Sequence, residues 1–365
     1  MKSIYIHIPF CAQKCFYCAF SSYPDKLSLS GEYINALIKE MSGHKNFNAQ
    51  TLYIGGGTPS VLSEENLEKL FKAVEENFGP VKNFLESTFE ANPESLTEEK
   101  IILLKKYGFN RLSMGLQSSN DDILKNLGRI HDRRMFIKSY SDARSMGFDN
   151  INIDLIAGCP SQNLENFKED ISFVLTLNPE HFSVYGMEIS EGTKFFKEGY
   201  APDDALVKEM LLYAHNFLPK RAYSHYEISN FSKHGFESVH NNNYWLGGDY
   251  LGLGCAAAGY LNGTRSSNTD DLNKYINNME KGLGVKDFEE KLEGKKKTGE
   301  SAMIALRRLE GVKLTSEISG YFGQEIDALV SRRLLTKENG CIKLSEQGLF
   351  FANKVFSCFV EPFGV

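Results

Sequence analysis

Three of the chain's seven cysteines fall within eight residues, in the run Cys11-Ala-Gln-Lys-Cys15-Phe-Tyr-Cys18. The other four, Cys159, Cys255, Cys341 and Cys358, are scattered among apolar neighbours and read as small core residues. A C-x3-C-x2-C triplet supplies three thiolates and no nearby fourth. A structural zinc site and a closed iron–sulfur cluster each want four protein ligands. His7 is the one local candidate for the fourth place, and on an alternating strand its direction stays open. Three thiolates on a four-iron cluster leave one iron free to bind a small molecule. The competing reading is an unligated helix face, because i, i+4 and i+7 is also helical spacing.

Such a triplet needs a rigid frame, and the sequence around it supplies one. From Ser3 to about Tyr185, strand-like and helix-like runs alternate. Ile4, Ile6 and Ile8 mark a half-buried strand, and Tyr33, Ile34, Leu37, Ile38 and Met41 follow at helical spacing. Thr51 to Ile54 is a second strand, trailed by the helical face Leu67, Leu70, Phe71, Val74 and Phe78 with Ser63 as N-cap. Further strands read at Glu86–Glu90, Arg111–Met114, Asn150–Leu155 and His181–Tyr185. Ser95 and Glu98 have the spacing of a capping box. Six βα units in a row predict an α/β fold, a partial (β/α)6 TIM-like barrel with the triplet at the C-terminal mouth of its first strand.

Beyond Tyr185 the pattern loosens. The glycine- and alanine-rich stretch from Gly247 to Gly263 suggests tightly packed backbone, a ligand approach, or both. Helical runs follow Val285, and Asn339-Gly340 sits between two short strand-like runs as a hairpin signal. Helices followed by a hairpin predict a winged-helix-like module. The expected organisation is a barrel over 1–190, an extension over 191–284 and a C-terminal domain over 285–365. That last segment carries 13 Lys and Arg against 12 Asp and Glu, which points to packing or partner contact and not to DNA.

Composition narrows the class further. The chain has 365 residues, 42% hydrophobic and 24% charged, as expected of a soluble globular protein. No apolar run approaches the ~18 residues of a membrane span, although peripheral membrane contact stays compatible with the sequence. A net charge of −6 argues against broad nucleic-acid binding. An odd number of cysteines, with no export signal at the N-terminus, predicts reduced thiols and a cytoplasmic location.

The triplet, with an aromatic residue before its last cysteine, resembles the radical S-adenosylmethionine (SAM) superfamily. Tyr53-Ile54-Gly55-Gly56-Gly57-Thr58-Pro59, after the second strand, is a second phrase of that pattern. The resemblance implies a [4Fe–4S] cluster on Cys11, Cys15 and Cys18, with SAM chelating the open iron. Polar residues recur at the later strand ends: Glu90, Gln117 and Asp154, with Arg129 in Leu127-Gly128-Arg129-Ile130-His131. These phrases, in this order and over nearly the whole chain, resemble the oxygen-independent coproporphyrinogen III oxidase family, the HemN/HemW group. That resemblance implies SAM contacts at Tyr5, Tyr17, Gly56, Gly57, Thr58, Glu90, Gln117, Arg129 and Asp154.

Within the group, the sequence is similar to the haem chaperone branch. Phe20 stands where the oxidases carry a further cysteine, and only ten residues precede Cys11. His240-Asn-Asn-Asn-Tyr244-Trp245 resembles the H-N-x-x-Y-W motif of that branch. The implied function is binding of haem and its delivery to acceptor proteins such as respiratory enzymes, with His240, Tyr244 and Trp245 as candidate haem contacts. The alternative is oxidative decarboxylation of coproporphyrinogen III propionates by a 5′-deoxyadenosyl radical. Judged by its residues alone, the motif reads more readily as an asparagine-rich turn anchored by a buried tryptophan, with His240 merely hydrogen-bonded.

Overall fold

The computed structural model describes residues 1–45 and 47–363. Six strands run parallel and in sequence order: β1 (Lys2–Ile8), β2 (Thr51–Gly56), β3 (Glu86–Ala91), β4 (Arg111–Gln117), β5 (Ile151–Ala157) and β6 (His181–Gly186). Helices connect them, among them Ser30–Ser42, Glu64–Phe78, Glu98–Tyr107, Arg133–Ser145 and Leu164–Leu177. This is the partial (β/α)6 barrel that the alternation predicts.

Strand periodicity separates two environments. Ile4, Ile6 and Ile8, Leu52 and Ile54, Leu112, Met114 and Leu116, Ile151, Ile153 and Leu155, and Phe182 and Val184 all belong to one buried apolar core beneath the helices. The intervening residues turn to the inner face and are largely polar: Ser3, Tyr5 and His7 on β1, Glu86, Thr88 and Glu90 on β3, Asn152 and Asp154 on β5. The barrel is therefore apolar outside and polar inside, as a scaffold around a polar ligand requires.

The sheet continues past the six strands on both sides. β7 (Ser224–Glu227) and β8 (Asn230–Ser232) form an antiparallel pair that joins β6 through β8. On the other side β9 (Asp249–Leu253) pairs parallel with β1, and β10 (Ala258–Leu261), β11 (Thr264–Asn268) and β12 (Lys286–Lys291) follow antiparallel, making twelve strands. These strands are short and mostly polar or exposed, so no apolar period announces them. The glycine-rich stretch holds tight backbone packing: a Cβ on Gly252 would lie 1.8 Å from the Ala258 carbonyl oxygen.

A second apolar core, around Leu306, Phe322, Ile326, Leu335, Ile342 and Phe359, defines the C-terminal module. Its sheet contains β13 (Val312–Lys313), β14 (Leu335–Glu338) and β15 (Cys341–Leu344), packed with the helices Gly294–Ala305 and Ser316–Ser331. Glu338 pairs with Cys341 across Asn339 and Gly340, both at positive φ (52° and 73°), the tight hairpin expected of Asn-Gly. The segment 285–365 is thus divided, since β12 belongs to the edge of the main sheet and not to the module. One cap also lies elsewhere than the sequence suggests. Thr97, not Ser95, caps the helix Glu98–Tyr107, because the Ser95 hydroxyl is engaged with Ser60 and the Asn92 carbonyl.

The outer core makes one stability prediction. Phe71 is fully buried, with its ring 4.8 Å from Phe109 and 5.2 Å from Tyr107. Phe71→Ala should cost about 3–5 kcal/mol, the usual sum of lost transfer energy and cavity. Urea unfolding followed by far-UV circular dichroism measures it, and a loss below about 1 kcal/mol would contradict this packing.

Candidate functional site

The cysteine run is a loop, not a helix face, and leaves β1 at the C-terminal mouth of the barrel. Several hydrogen bonds hold it. Tyr23 N–H donates to the Pro9 carbonyl at 2.8 Å, Phe16 N–H to the Leu127 carbonyl at 3.0 Å, and Gln13 Nε2 to the Gly128 carbonyl at 2.8 Å. His7 Nε2 lies 2.9 Å from the Ser21 carbonyl oxygen, so that nitrogen carries the proton, and Nδ1 accepts from the Tyr5 hydroxyl at 2.9 Å. Both ring nitrogens are committed, which removes His7 as a fourth ligand.

Cys11, Cys15 and Cys18 line one cavity of about 390 Å³ together with Tyr17, Gly56, Gly57, Thr58, Glu90, Gln117, Arg129 and Asp154. Eleven of the twelve residues expected at a cluster and SAM site are therefore brought together. Tyr5 is the exception. It lies deeper, its hydroxyl on His7 and its ring 6.1 Å from that of Tyr53.

Two of the thiols are tied to one another through three side chains. Thr58 Oγ1 donates to Cys11 Sγ at 3.5 Å, Asn92 Nδ2 donates to Thr58 Oγ1 at 3.0 Å, and Arg129 Nη2 donates to Asn92 Oδ1 at 2.8 Å. Arg129 Nη1 completes the chain by donating to Cys15 Sγ at 3.5 Å. Burial works against the Arg129 charge, but Cys15, Tyr17 and Glu94 hold its pKa above the ordinary guanidinium value. Burial also pushes up the Cys11 and Cys18 thiols, the hydrogen bond from Thr58 partly offsetting this at Cys11.

The glycines of the second phrase have steric reasons. A Cβ on Gly57 would lie 2.5 Å from the Phe10 carbonyl oxygen and 3.0 Å from Cys11 Sγ. Gly56 has φ +117° and faces the His7 ring. Its N–H donates to Glu90 Oε2 at 3.0 Å, while Tyr53 donates to the other carboxylate oxygen. Burial raises the Glu90 carboxyl to about 7, the Tyr53 hydrogen bond opposing and the nearby Asp154 adding to the shift. Gln117 sits at φ +71°, beside a register shift between β4 and β5, a strained backbone that aims its side chain into the cavity.

Sequence reasoning passed over Asn92, the link between Thr58 and Arg129, although it stands two residues after Glu90 in a quoted phrase. It also passed over Tyr185 near the end of β6 and Met187, Glu188 and Ser190 after it, which line the cavity without any motif. Among the described residues no three His, Cys, Asp or Glu side chains converge on a single point, as a mononuclear metal site would need. Three soft thiolates spread around one cavity, with no fourth ligand at hand, fit a multi-iron cluster with an open position.

His240, Tyr244 and Trp245, the candidate haem contacts, do not line this cavity. They lie on the helix Val239–Trp245 at the opposite end of the strands. His240 is fully buried, its Nδ1 2.9 Å from Thr51 Oγ1 and its Nε2 2.7 Å from the Tyr244 hydroxyl. Thr51 donates its own proton to Ser3, so Nδ1 donates to Thr51 and Nε2 accepts from Tyr244. Burial, with Arg111 nearby, lowers the imidazole to about 3, and no lone pair is left for iron. Ser238 Oγ and the Val239 and His240 N–H groups converge on Glu86, so the helix plugs the barrel floor. The guanidinium of Arg307, from the C-terminal module, lies 4.4 Å from the Trp245 ring.

Comparison with known proteins places this geometry. The radical SAM superfamily model matches residues 5–174. The chain is 36% identical to heme chaperone HemW of Bacillus subtilis over 99% of both chains. It is 34% identical to heme chaperone HemW of Lactococcus lactis, over 98% of this chain and 97% of that one. In fold it is similar to coproporphyrinogen III oxidase (HemN) from Escherichia coli, described as a radical SAM enzyme. The TM-score is 0.87 at 22% identity, covering 99% of this chain and 90% of the other.

Glu90 gives the site a measurable pH signature. Its carboxyl rises from an ordinary 4.5 to about 7 on folding, so the unfolded chain ionises first as pH increases. Wild-type stability relative to Glu90→Gln should therefore fall between about pH 4.5 and 7 and stay level on either side. Paired denaturant titrations across that window test it; a parallel or rising difference would contradict the assignment.

Proposed function

The chain belongs to the HemW family of the radical SAM superfamily, and from that premise we propose that it is a haem chaperone. It binds haem and delivers it to acceptor proteins, of which respiratory enzymes are one class. The single observation that carries the cofactor part of this reading is the three-thiol cavity, with His7 already spent on Tyr5 and Ser21.

In this reading Cys11, Cys15 and Cys18 hold a [4Fe–4S] cluster. Such a cluster would supply a low-potential electron, and its one iron without a cysteine ligand would be the coordination position for SAM. The chain's own residues do the positioning. Thr58 and Arg129 direct hydrogen bonds at two of the sulfurs, which stabilises the thiolate form. Gly56 and Gly57 leave room for the methionyl end of SAM. Gln117, Asp154 and Glu90 face the adenosyl part with amide and carboxylate groups suited to ribose hydroxyls.

Decarboxylation of coproporphyrinogen III is the second reading, and the cavity that gathers eleven of the twelve expected residues is the observation that favours it. It is the weaker of the two. Such chemistry needs a substrate held within near-attack range. Phe20, at the position that departs from the oxidase pattern, is 67% exposed at the cavity mouth and offers no polar group there.

Anaerobic reconstitution decides between them. The wild type should acquire about four irons per chain and the brown absorbance of a cluster, and should bind haem. Cys11→Ala, Cys15→Ala and Cys18→Ala should each lose the cluster. Asp154→Ala should weaken SAM binding by about 1–3 kcal/mol, the cost of stranding its partners. Conversion of coproporphyrinogen III at a rate near that of a known oxidase run alongside would defeat the chaperone reading.

A further inference from the structure

One charge inside the barrel has no ion-pair partner. Arg111, the first residue of β4, is 2% exposed, so its guanidinium lies wholly within the protein. A guanidinium stays protonated at any working pH and carries a planar fork of N–H donors. Arg111 uses little of that fork. Its Nη1 donates to Thr88 Oγ1 at 3.5 Å, and the buried Nε has no partner among the described residues. A fold seldom buries a cation this sparsely bonded, because the lost hydration is not replaced by contact.

Strand register shows what the charge faces. Across β3 and β4, Thr88 pairs with Arg111 and Glu90 with Ser113. Side chains two apart share a face, and Ser113 and Gln117 line the cysteine cavity. Arg111 therefore stands on that inner face, one step nearer the floor. On the floor side, Thr88 Oγ1 donates to Glu86 at 3.3 Å, and Glu86 also accepts from Ser238 and from the Val239 and His240 N–H groups. Glu86 is thus satisfied without Arg111. On the mouth side, Glu90 accepts from Tyr53 and Gly56, and Asp154 accepts from Asn152 at 2.8 Å. All of these donors are neutral.

The other titratable groups facing Glu90 are Tyr5, Tyr53, Tyr185, Tyr244 and Asp154, none of them a cation. Burial pushes the Glu90 and Asp154 carboxyls up, and the Arg111 charge opposes the rise at both, joined at Asp154 by Arg129. Burial and the same charge keep His181 and His240 neutral, so neither imidazole serves as a counter-ion. A contact ion pair would occupy carboxylate oxygens. A cation one layer beneath stabilises their charge and leaves those oxygens to a ligand.

We propose that Arg111 is a positioning residue for SAM, a buried and unpaired guanidinium beneath the cavity that keeps Glu90 and Asp154 ionised and open to ribose hydroxyls. The proposal rests on the reading of those two carboxylates as contacts of the adenosyl part.

The test compares Arg111→Gln, which keeps an amide donor for Thr88 without the charge, with Arg111→Lys, which keeps the charge. SAM affinity of the cluster-loaded full chain is measured by equilibrium dialysis across neutral and alkaline pH. Losing the cation should raise a carboxyl by about one unit or more, so Arg111→Gln should bind about fivefold more weakly than wild type at about pH 7 and match it at about pH 9. Arg111→Lys should follow the wild-type profile. A second readout needs no ligand. The stability difference between Glu90 and Glu90→Gln chains, which falls up to about pH 7 in the wild type, should keep falling to about pH 8 or beyond in the Arg111→Gln background.

Weakening of SAM binding by one factor at every pH, an Arg111→Lys defect equal to that of Arg111→Gln, or an unmoved stability window would overturn the proposal. So would an Arg111→Gln chain that fails to fold, which would make the charge a structural one. If the stability window moves while SAM affinity does not, the counter-charge stands and the assignment of Glu90 to SAM fails. If the wild type binds no SAM, that assignment falls by itself, and the stability window decides the counter-charge.

Discussion

The hydrogen-bonded chain from Cys11 through Thr58, Asn92 and Arg129 to Cys15 is the constraint on which the site depends. Each link comes from a different strand end: the cysteines follow β1, Thr58 follows β2, Asn92 follows β3, and Arg129 lies beyond β4. Only parallel strands in sequence order bring those four ends side by side. The guanidinium in this chain is partly buried at the cavity wall, so losing a partner would leave a charge with fewer hydrogen bonds in a site of reduced solvent access. The barrel thus supplies the order, and the polar chain holds the cysteine loop in register with it.

The same logic explains the two ends of the barrel. A sheet whose inner face is polar must satisfy those groups wherever no ligand enters. At the mouth, Glu90, Gln117 and Asp154 face a cavity. At the floor, Ser3, Thr51 and Glu86 are met instead by the helix Val239–Trp245, which spends His240, Asn243 and three hydrogen-bond donors on them. The helix therefore closes the floor with the same side chains that give the sequence phrase its character. Its tryptophan then reaches outward to Arg307 and couples the floor to the C-terminal module.

That module is seated on the barrel through backbone as well as side chains. Ile228 N–H donates to the Arg307 carbonyl and Leu309 N–H to the Tyr226 carbonyl, extending the exposed edge of β7. An unpaired edge strand is a liability, and the module covers it. Asn353 bonds Glu188, a residue of the cavity rim, so the module also touches the segment that leaves β6. One small domain therefore contacts the floor, the sheet edge and the mouth.

Much of this was legible from residue order alone. Ile4, Ile6 and Ile8 and their counterparts announce strands because a two-sided strand must alternate, and the Tyr33-to-Met41 and Leu67-to-Phe78 faces announce helices by their period. The cysteine triplet and Gly55-Gly56-Gly57 are local phrases whose chemistry survives any fold that places them at a strand end. The outer strands β7 to β12 were not legible, since edge strands that bury little apolar surface carry no periodic signal. Neither was the fate of a histidine. His7 and His240 both stand in plausible motifs, and only tertiary structure decides which ring nitrogens remain free. A hydrogen bond between residues nearly two hundred positions apart, such as His240 to Thr51, leaves no trace in local sequence. Residue types and spacing determined which chemistry the chain can hold; long-range packing determined where each polar group spends its lone pairs.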